Sequence, residues 1–161
     1  EKLFKEIFSE IERIETPGTL DGGDVLEVKD HYYIGLSERT NKAGAEQLLK
    51  ILHKYRKTGS TIPVNEGLHL KSSVSYLGNN HILINSNSID IDYFSGFNLI
   101  ATATGEGYSA NSISINGTVI LPKGFPQTES QVENAGFSVR TIDVSEFRKI
   151  DGGLSCLSLR Y

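Results

Sequence analysis

The chain has 161 residues, a formal net charge of −4 and a hydrophobic fraction of 38%. A chain of this length buries roughly 70% of its unfolded surface, which is enough for one domain with a sizeable core. The negative charge argues against non-specific binding to nucleic acid or to anionic membranes. No apolar run approaches the roughly 20 residues that span a bilayer, so no membrane association is expected.

Cysteine and methionine usage adds two expectations. A single cysteine excludes an intrachain disulfide and is typical of a reducing compartment, so a cytoplasmic location is expected. The chain starts at Glu1 and contains no methionine, which predicts that an N-terminal portion is absent from it. No linker or low-complexity stretch divides residues 1–161, so a single domain is expected.

The hydrophobic pattern switches between helical and strand periods in an order that repeats. The first prediction is an amphipathic helix at 3–14, where apolar residues recur with i, i+3, i+4 spacing. A first unit follows, with predicted strands at 24–28 and 32–36 that turn at Asp30-His31, a helix at 41–57 and a strand at 61–64.

The same strand, strand, helix, strand order is predicted twice more. The second unit has predicted elements at 73–77, 81–84, 88–94 and 97–101. The third has elements at 112–115, 118–121, 126–135 and 137–141, followed by a helical turn at 145–149 and a last strand at 156–159. Asn79-Asn80 and Asn116-Gly117 lie where the hairpins turn, and Asn-Gly is a strong two-residue hairpin signal. The sequence therefore predicts an α/β body of ββαβ modules.

Three segments carry reactive side chains beside glycines: Asp21 in Asp-Gly-Gly-Asp, His69 in Gly-Leu-His-Leu-Lys, and Cys156 in Asp-Gly-Gly-Leu-Ser-Cys. Asp21 and His69 precede the first and second hairpins, and Cys156 lies near the predicted last strand. Modules arranged around an axis would bring the three side chains to one pocket, and they are the inventory of a cysteine hydrolase or transferase. From the residues alone the alternative is structural: a buried thiol, a core histidine, and turn-capping carboxylates at Asp21 and Asp24.

Four segments resemble dimethylarginine dimethylaminohydrolase, a family of the guanidine-modifying superfamily. They are residues 19–26 (TLDGGDVL), 35–41 (GLSERTN) with Gly44-Ala45, 67–72 (GLHLKS) and 149–156 (KIDGGLSC). The match runs in the same order from about residue 16 to the C-terminus. The resemblance implies a five-module α/β propeller with about three modules present, and a single catalytic domain over residues 1–161 that lacks an N-terminal portion.

The resemblance also implies roles at the matched positions. Cys156 matches the nucleophile, His69 the general acid/base, and Asp21 the carboxylate beside the guanidinium. Arg39 matches the arginine that holds the substrate α-carboxylate, and the main chain of Ile150 matches a position that borders the substrate. The implied reaction converts Nω-methylated arginine to citrulline and methylamine or dimethylamine through a cysteine thiouronium adduct, and it needs no metal or organic cofactor.

These residue types suit that chemistry. A thiolate is the strongest side-chain nucleophile available near neutral pH. A carboxylate pairs with the planar N–H fork of a guanidinium. An imidazole can protonate a departing amine and then activate water.

Other functions stay open. Arginine and agmatine deiminases of the same superfamily typically carry an aspartate two residues after the histidine, and this chain has Lys71 there, which favours methylated arginine. A non-catalytic binding protein of the same fold, or an inactive fragment, is the further alternative. The expected partners are a small-molecule guanidine substrate and either the missing N-terminal modules or a second copy of the chain; the wide apolar face of the predicted helix at 3–14 and an unclosed ring would need such a cover.

Overall fold

The computed structural model describes residues 2–158, in which three three-stranded sheets follow one another along the chain. Each sheet consists of an antiparallel hairpin and a third strand that runs parallel to the second strand. A helical connection joins the second and third strands in each case. This arrangement confirms the predicted repeat of ββαβ modules, and the three sheets do not close into a ring.

The elements lie close to their predicted positions. The first module has β1 (Val25–Val28), β2 (His31–Leu36), α2 (Lys42–Lys54) and β3 (Thr58–Pro63), preceded by α1 (Lys2–Ile7). The second has β4 (Val74–Gly78), β5 (His81–Ile84), a 3-10 turn at Ile91–Phe94 and β6 (Asn98–Ala101). The third has β7 (Ile113–Ile115), β8 (Thr118–Pro122), α3 (Pro126–Asn134) and β9 (Ser138–Ile142), followed by α4 (Ser145–Arg148).

Two hairpins turn at the residues that the sequence indicated. Asn79 and Asn80 have φ angles of 47° and 61°, and Asn116 and Gly117 have φ angles of 50° and 77°. Two consecutive residues with positive φ define the turn whose twist matches that of the flanking strands, and asparagine and glycine tolerate it best. The first hairpin turns one residue earlier than predicted, because His31 already pairs with Val28 and Lys29 takes the positive φ.

Two predicted elements are wrong. Helix α1 ends at Ile7, and the chain from 8 to 14 is not helical. That segment instead runs along α2: Tyr55 Oη donates to Glu10 at 2.7 Å, Lys54 Nζ lies 2.6 Å from a Glu12 oxygen, and Gln47 exchanges hydrogen bonds with the Glu15 backbone. These contacts outcompete a weak local helical preference.

The strand predicted at 156–159 is also wrong over the residues that the structure describes. The amides of Cys156 and Leu157 both donate to the Gly153 carbonyl, at 3.0 and 3.1 Å, so the chain turns there instead of pairing with a strand. Leu159 lies outside the described residues.

Apolar side chains pack between neighbouring modules. One cluster joins the first and second sheets and includes Leu26, Ile62, Leu70, Val74 and Phe94. A second cluster joins the second and third sheets through Leu77, Leu83, Val119 and Leu121. Full burial of one such side chain contributes about 1.5–3 kcal/mol, so these layers fix the spacing of the sheets. None of the helices in the described part of the chain is both long and apolar enough to cross a membrane.

Candidate active site

The first strands of the three sheets, β1, β4 and β7, border one broad cavity of about 1010 Å³. Residues from all three strands form its wall, together with the segments that precede β1 and β4 and the turn after α4. Asp21, His69 and Cys156 all line this cavity although they lie far apart in the sequence. The modular arrangement therefore brings the three predicted reactive side chains to one space.

His69 is held in an extended backbone conformation just before the 3-10 turn at Leu70–Ser72. Its neighbour Leu70 is fully buried in the layer between the first two sheets, which fixes the backbone on one side of the imidazole. The ring packs against Gly23, where a Cβ atom would lie only 2.7 Å from His69 Cγ. Only glycine leaves room for the imidazole at this place.

A buried carboxylate, Asp24, contacts the inner nitrogen of that imidazole. Asp24 Oδ2 lies 3.3 Å from His69 Nδ1 and also accepts hydrogen bonds from Ser37 Oγ and Thr40 Oγ1, both at 2.7 Å. Asp24 Oδ1 accepts from the Leu70 amide at 3.0 Å. Because a carboxylate only accepts, Nδ1 carries the proton in this contact and Nε2 is left facing the cavity.

From the sequence alone, Asp24 is interpreted as a turn-capping carboxylate. The structure places it in direct contact with the predicted acid/base, completely buried and with four hydrogen-bonding partners. Its position in the Asp-Gly-Gly-Asp motif was the one available signal, but a turn-capping aspartate has the same local sequence.

Asp21 stands on the cavity side of His69. Its Oδ1 accepts from the Gly23 amide at 2.8 Å and lies 3.8 Å from His69 Nε2. Its own amide donates to Thr40 Oγ1 at 2.9 Å, so one threonine ties Asp21 and Asp24 to the start of α2. The Asp21 side chain is 39% exposed, which leaves part of the carboxylate accessible from the cavity.

Cys156 is exposed and lines the same cavity from the turn that follows α4. Its amide donates to the Gly153 carbonyl at 3.0 Å, and the preceding Leu154 is buried. Lys71, two residues after His69, lines the same cavity. The side chains that line this one cavity therefore include a carboxylate, an imidazole and a thiol.

The other two predicted site residues lie outside the cavity lining. Arg39 is exposed, and its amide donates to Ser37 Oγ at 3.0 Å. Ile150 is 77% exposed in the turn after α4. Their predicted roles toward the substrate stay predictions. Among the described residues, no group of three or more histidine, cysteine, aspartate or glutamate side chains is arranged to hold a metal ion.

Comparison with known proteins gives matches at the level of family, sequence and structure. A family model described as arginine deiminase matches residues 4–91. An N(G),N(G)-dimethylarginine dimethylaminohydrolase from Pseudomonas aeruginosa is 44% identical over 151 residues, which are 94% of this chain and 59% of the relative. The protein of the same name from Streptomyces coelicolor is 32% identical over 146 residues, covering 89% of this chain and 55% of the relative.

Solved structures match over nearly the whole chain. The P. aeruginosa enzyme, as a cysteine-to-serine mutant complexed with citrulline, superposes with a TM-score of 0.94 at 41% identity, covering 99% of this chain and 63% of that one. A dimethylarginine dimethylaminohydrolase variant, in which a histidine is replaced by glycine and which forms an adduct with S-methyl-L-thiocitrulline, superposes with a TM-score of 0.93 at 41% identity, with the same coverage. The N-terminal domain of the cyanobacterial arginine dihydrolase ArgZ shares the fold at 18% identity, with a TM-score of 0.88 over 99% of this chain and 62% of that one. This chain therefore spans between half and two thirds of the length of these relatives.

Proposed function

We propose, since this chain belongs to the arginine deiminase family, that it carries the catalytic residues of a hydrolase that converts Nω-methylated arginine to citrulline and methylamine or dimethylamine. The observation that carries the proposal is the shared cavity lined by Asp21, His69 and Cys156, with His69 oriented by the buried Asp24. The citrulline and thiocitrulline complexes of similar enzymes support this substrate class.

In the proposed first half-reaction, the Cys156 thiol passes its proton to His69 Nε2 and the thiolate attacks the guanidinium carbon. Asp21 accepts hydrogen bonds from the guanidinium N–H groups and offsets their charge. The tetrahedral adduct collapses when the carbon–nitrogen bond to the methylated amine breaks, and His69 returns its proton to that amine. The product left on Cys156 is a thiouronium.

In the second half-reaction, the now neutral His69 removes a proton from a water molecule that attacks the same carbon. The carbon–sulfur bond then breaks and citrulline forms. The proton on His69 balances the thiolate that is released, and the second proton of the water leaves to solvent, where the released amine takes it up as an ammonium ion. One water is consumed and one amine is released in each cycle. Asp24 keeps Nδ1 protonated throughout, so that Nε2 performs both proton transfers.

The proposal places the reaction in the complete protein and not in these three modules by themselves. The three sheets leave the cavity open, and apolar side chains are exposed at both ends of the row of modules, including Phe4, Ile7 and Phe8 in or beside α1 and Phe147 and Ile150 after β9. We therefore propose that further N-terminal modules, or a second copy of the chain, cover these surfaces. A reducing, cytoplasmic location fits a mechanism that needs a free thiol.

The test is a substrate profile of the complete protein. Release of the ureido product is measured with monomethylarginine, asymmetric dimethylarginine, arginine and agmatine at equal concentrations; this product is citrulline for the three arginines and N-carbamoylputrescine for agmatine. We expect the methylated arginines to be hydrolysed and arginine and agmatine to react at least about 100-fold more slowly, because Lys71 stands where the related deiminases place a second carboxylate. Faster release from arginine or agmatine would assign the chain to a deiminase, and no release from any of the four would leave a binding function.

A further inference from the structure

The turn that carries Cys156 is held by two side chains from one other segment of the chain. Tyr108 Oη donates to the Gly152 carbonyl at 2.6 Å, and Asn111 Oδ1 accepts from the Ser155 amide at 2.9 Å. Tyr108 belongs to the 3-10 turn at Gly107–Ala110, and Asn111 follows it directly. The Asn111 contact is the more direct of the two, because Ser155 is covalently joined to Cys156.

Asn111 is built to hold this position. Its side chain is buried, with 5% of the residue exposed. Gly153 packs against the amide so closely that a Cβ atom there would lie 2.6 Å from Asn111 Cγ. Packing on one side and the Ser155 hydrogen bond on another leave the amide a single orientation, with its oxygen toward the Cys156 turn.

The backbone on either side of Asn111 is fastened to the second module. Ser75 Oγ, in β4, donates to the Ala110 carbonyl at 2.6 Å, and the Ser112 amide donates to Ser75 Oγ at 3.0 Å. His69 lies just before β4 in that same module. A short chain of contacts therefore runs from the module of His69 through Ser75 and Asn111 to Ser155 and Cys156.

We propose that Asn111 is a positioning residue that sets the approach of the Cys156 thiol to His69 and to the substrate carbon. The inference rests on the proposed function, in which a thiol on an exposed turn must meet an imidazole on a buried segment. A misplacement of about 1 Å at a reacting atom can reduce turnover about 100-fold, so one buried amide is enough to matter.

The experiment compares Asn111→Leu with Asn134→Leu, a matched control at an exposed position in α3. Leucine keeps the branched shape and the number of heavy atoms of the asparagine side chain and removes the acceptor for the Ser155 amide. We expect Asn111→Leu to lower kcat of the complete protein about 30–100-fold with KM changed less than about threefold. Asn111→Asp keeps an acceptor oxygen and should recover kcat to within about tenfold of the unmodified protein.

A second measurement reports the reactivity of the Cys156 thiol independently of turnover. Cys156 is the single cysteine of this chain, so peptide mass spectrometry reports its alkylation by iodoacetamide directly. We expect alkylation in Asn111→Leu to be at least about fivefold slower than in the control, because a thiol turned away from His69 loses the base that favours its thiolate. If Asn111→Leu does not fold, Asn111→Ser, whose hydroxyl cannot reach the Ser155 amide, carries the same expectations.

The outcomes are separable. Unchanged kcat, or lower kcat with unchanged alkylation, would overturn the positioning role of Asn111. Slower alkylation with unchanged kcat would overturn it as well. Slower alkylation in a protein that hydrolyses no guanidine at all would support the positioning role and contradict the proposed function alone.

Discussion

The segments that carry His69 and Cys156 are supported in different ways. His69 is buried, packed on Gly23, joined to the completely buried Asp24, and followed by Leu70 in the apolar layer between two sheets. Cys156 is exposed and lies in a turn that Tyr108 and Asn111 contact through side-chain hydrogen bonds. The predicted acid/base thus shares its supports with the core, whereas the predicted nucleophile is itself exposed to solvent. Substitutions should accordingly separate into changes that cost stability and rate together and changes that cost rate alone.

The largest effect on rate without an effect on stability is expected at Cys156. Cys156→Ser should reduce citrulline release more than about 1000-fold, because a hydroxyl is a far weaker nucleophile than a thiolate in this setting. The midpoint of urea unfolding should stay within experimental error, since the side chain is exposed. Ser155→Ala is the control in the same turn, because it keeps the backbone amide that contacts Asn111. Residual turnover within tenfold of the unmodified protein would rule out Cys156 as the nucleophile.

In the segment around His69, Asp24→Asn should lower the turnover rate and the stability together. Replacing one carboxylate oxygen by an amide sets an N–H group against donors that the carboxylate satisfied, at a cost of about 2–4 kcal/mol in the free energy of unfolding. Loss of the charge partner of His69 should reduce kcat about 100-fold. Asp90→Asn, at an exposed aspartate that caps a turn, should change neither quantity appreciably.

The distinction between the supports of His69 and those of Cys156 would be contradicted if the unfolding free energy of Asp24→Asn lay within about 0.5 kcal/mol of that of the unmodified protein. Urea titration and steady-state kinetics on the same preparation provide both numbers.

A smaller effect, confined to substrate affinity, is expected for Asp21→Asn. The carboxylate is partly exposed, and its role in the proposed reaction is to pair with the guanidinium. Loss of one charge-assisted pair should raise KM for dimethylarginine about 10–30-fold, with little change in stability. Titration with a non-reacting methylated guanidine measures the same loss as a dissociation constant. A large fall in kcat with unchanged KM would assign Asp21 to the chemical step instead of to binding.

The smallest effect is expected for Tyr108→Phe, which removes the hydrogen bond to Gly152. Burial raises the pKa of Tyr108 above its usual 10.0, and the nearby Cys156 raises it further against the opposing Arg148. Because the folded-state pKa lies above the unfolded value, the stabilising contribution of the neutral phenol is complete below pH 10 and is lost as the pH rises through the raised pKa.

Urea unfolding should therefore show a difference of about 0.5–1.5 kcal/mol between the unmodified protein and Tyr108→Phe at pH 7. The difference should shrink above pH 10. Tyr93→Phe, at an exposed tyrosine, should show no such difference at either pH. A Tyr108→Phe difference that grows with pH would contradict the stated direction of the pKa shift.

The sequence predicted the features of the fold that depend on neighbouring residues. Asn79-Asn80 and Asn116-Gly117 adopt the positive φ angles of tight hairpins because the turn geometry is a local property. The prediction of a helix at 3–14 is wrong because its second half bonds to Lys54 and Tyr55 at the end of α2, which lie 42 to 45 residues away in the sequence. The local spacing of apolar residues contains no information about such contacts with residues far away in the sequence.

The candidate site likewise contains residues that have a local sequence signal and residues that only the fold brings together. Asp21, His69 and Cys156 can be proposed from the sequence because each lies in a motif whose chemistry is recognisable. Asp24 was underestimated because the same local sequence suits a turn cap, and only the fold brings His69 to it. Asn111 had no local signal, since its partner Ser155 lies 44 residues away. The prediction of a C-terminal strand is wrong because the amides of Cys156 and Leu157 donate to the Gly153 carbonyl instead of pairing with a neighbouring strand.

The central claim is that Cys156 attacks the substrate carbon and that His69 serves the steps which need a proton. S-methyl-L-thiocitrulline tests it directly, because its thiol leaving group departs without the proton that an amine requires. His69→Ala in the complete protein should react with this compound and accumulate a covalent adduct on Cys156, detected by intact mass and located by peptide mapping. The same variant should release no citrulline from dimethylarginine. Absence of the adduct on Cys156, or undiminished citrulline release by His69→Ala, would contradict the account.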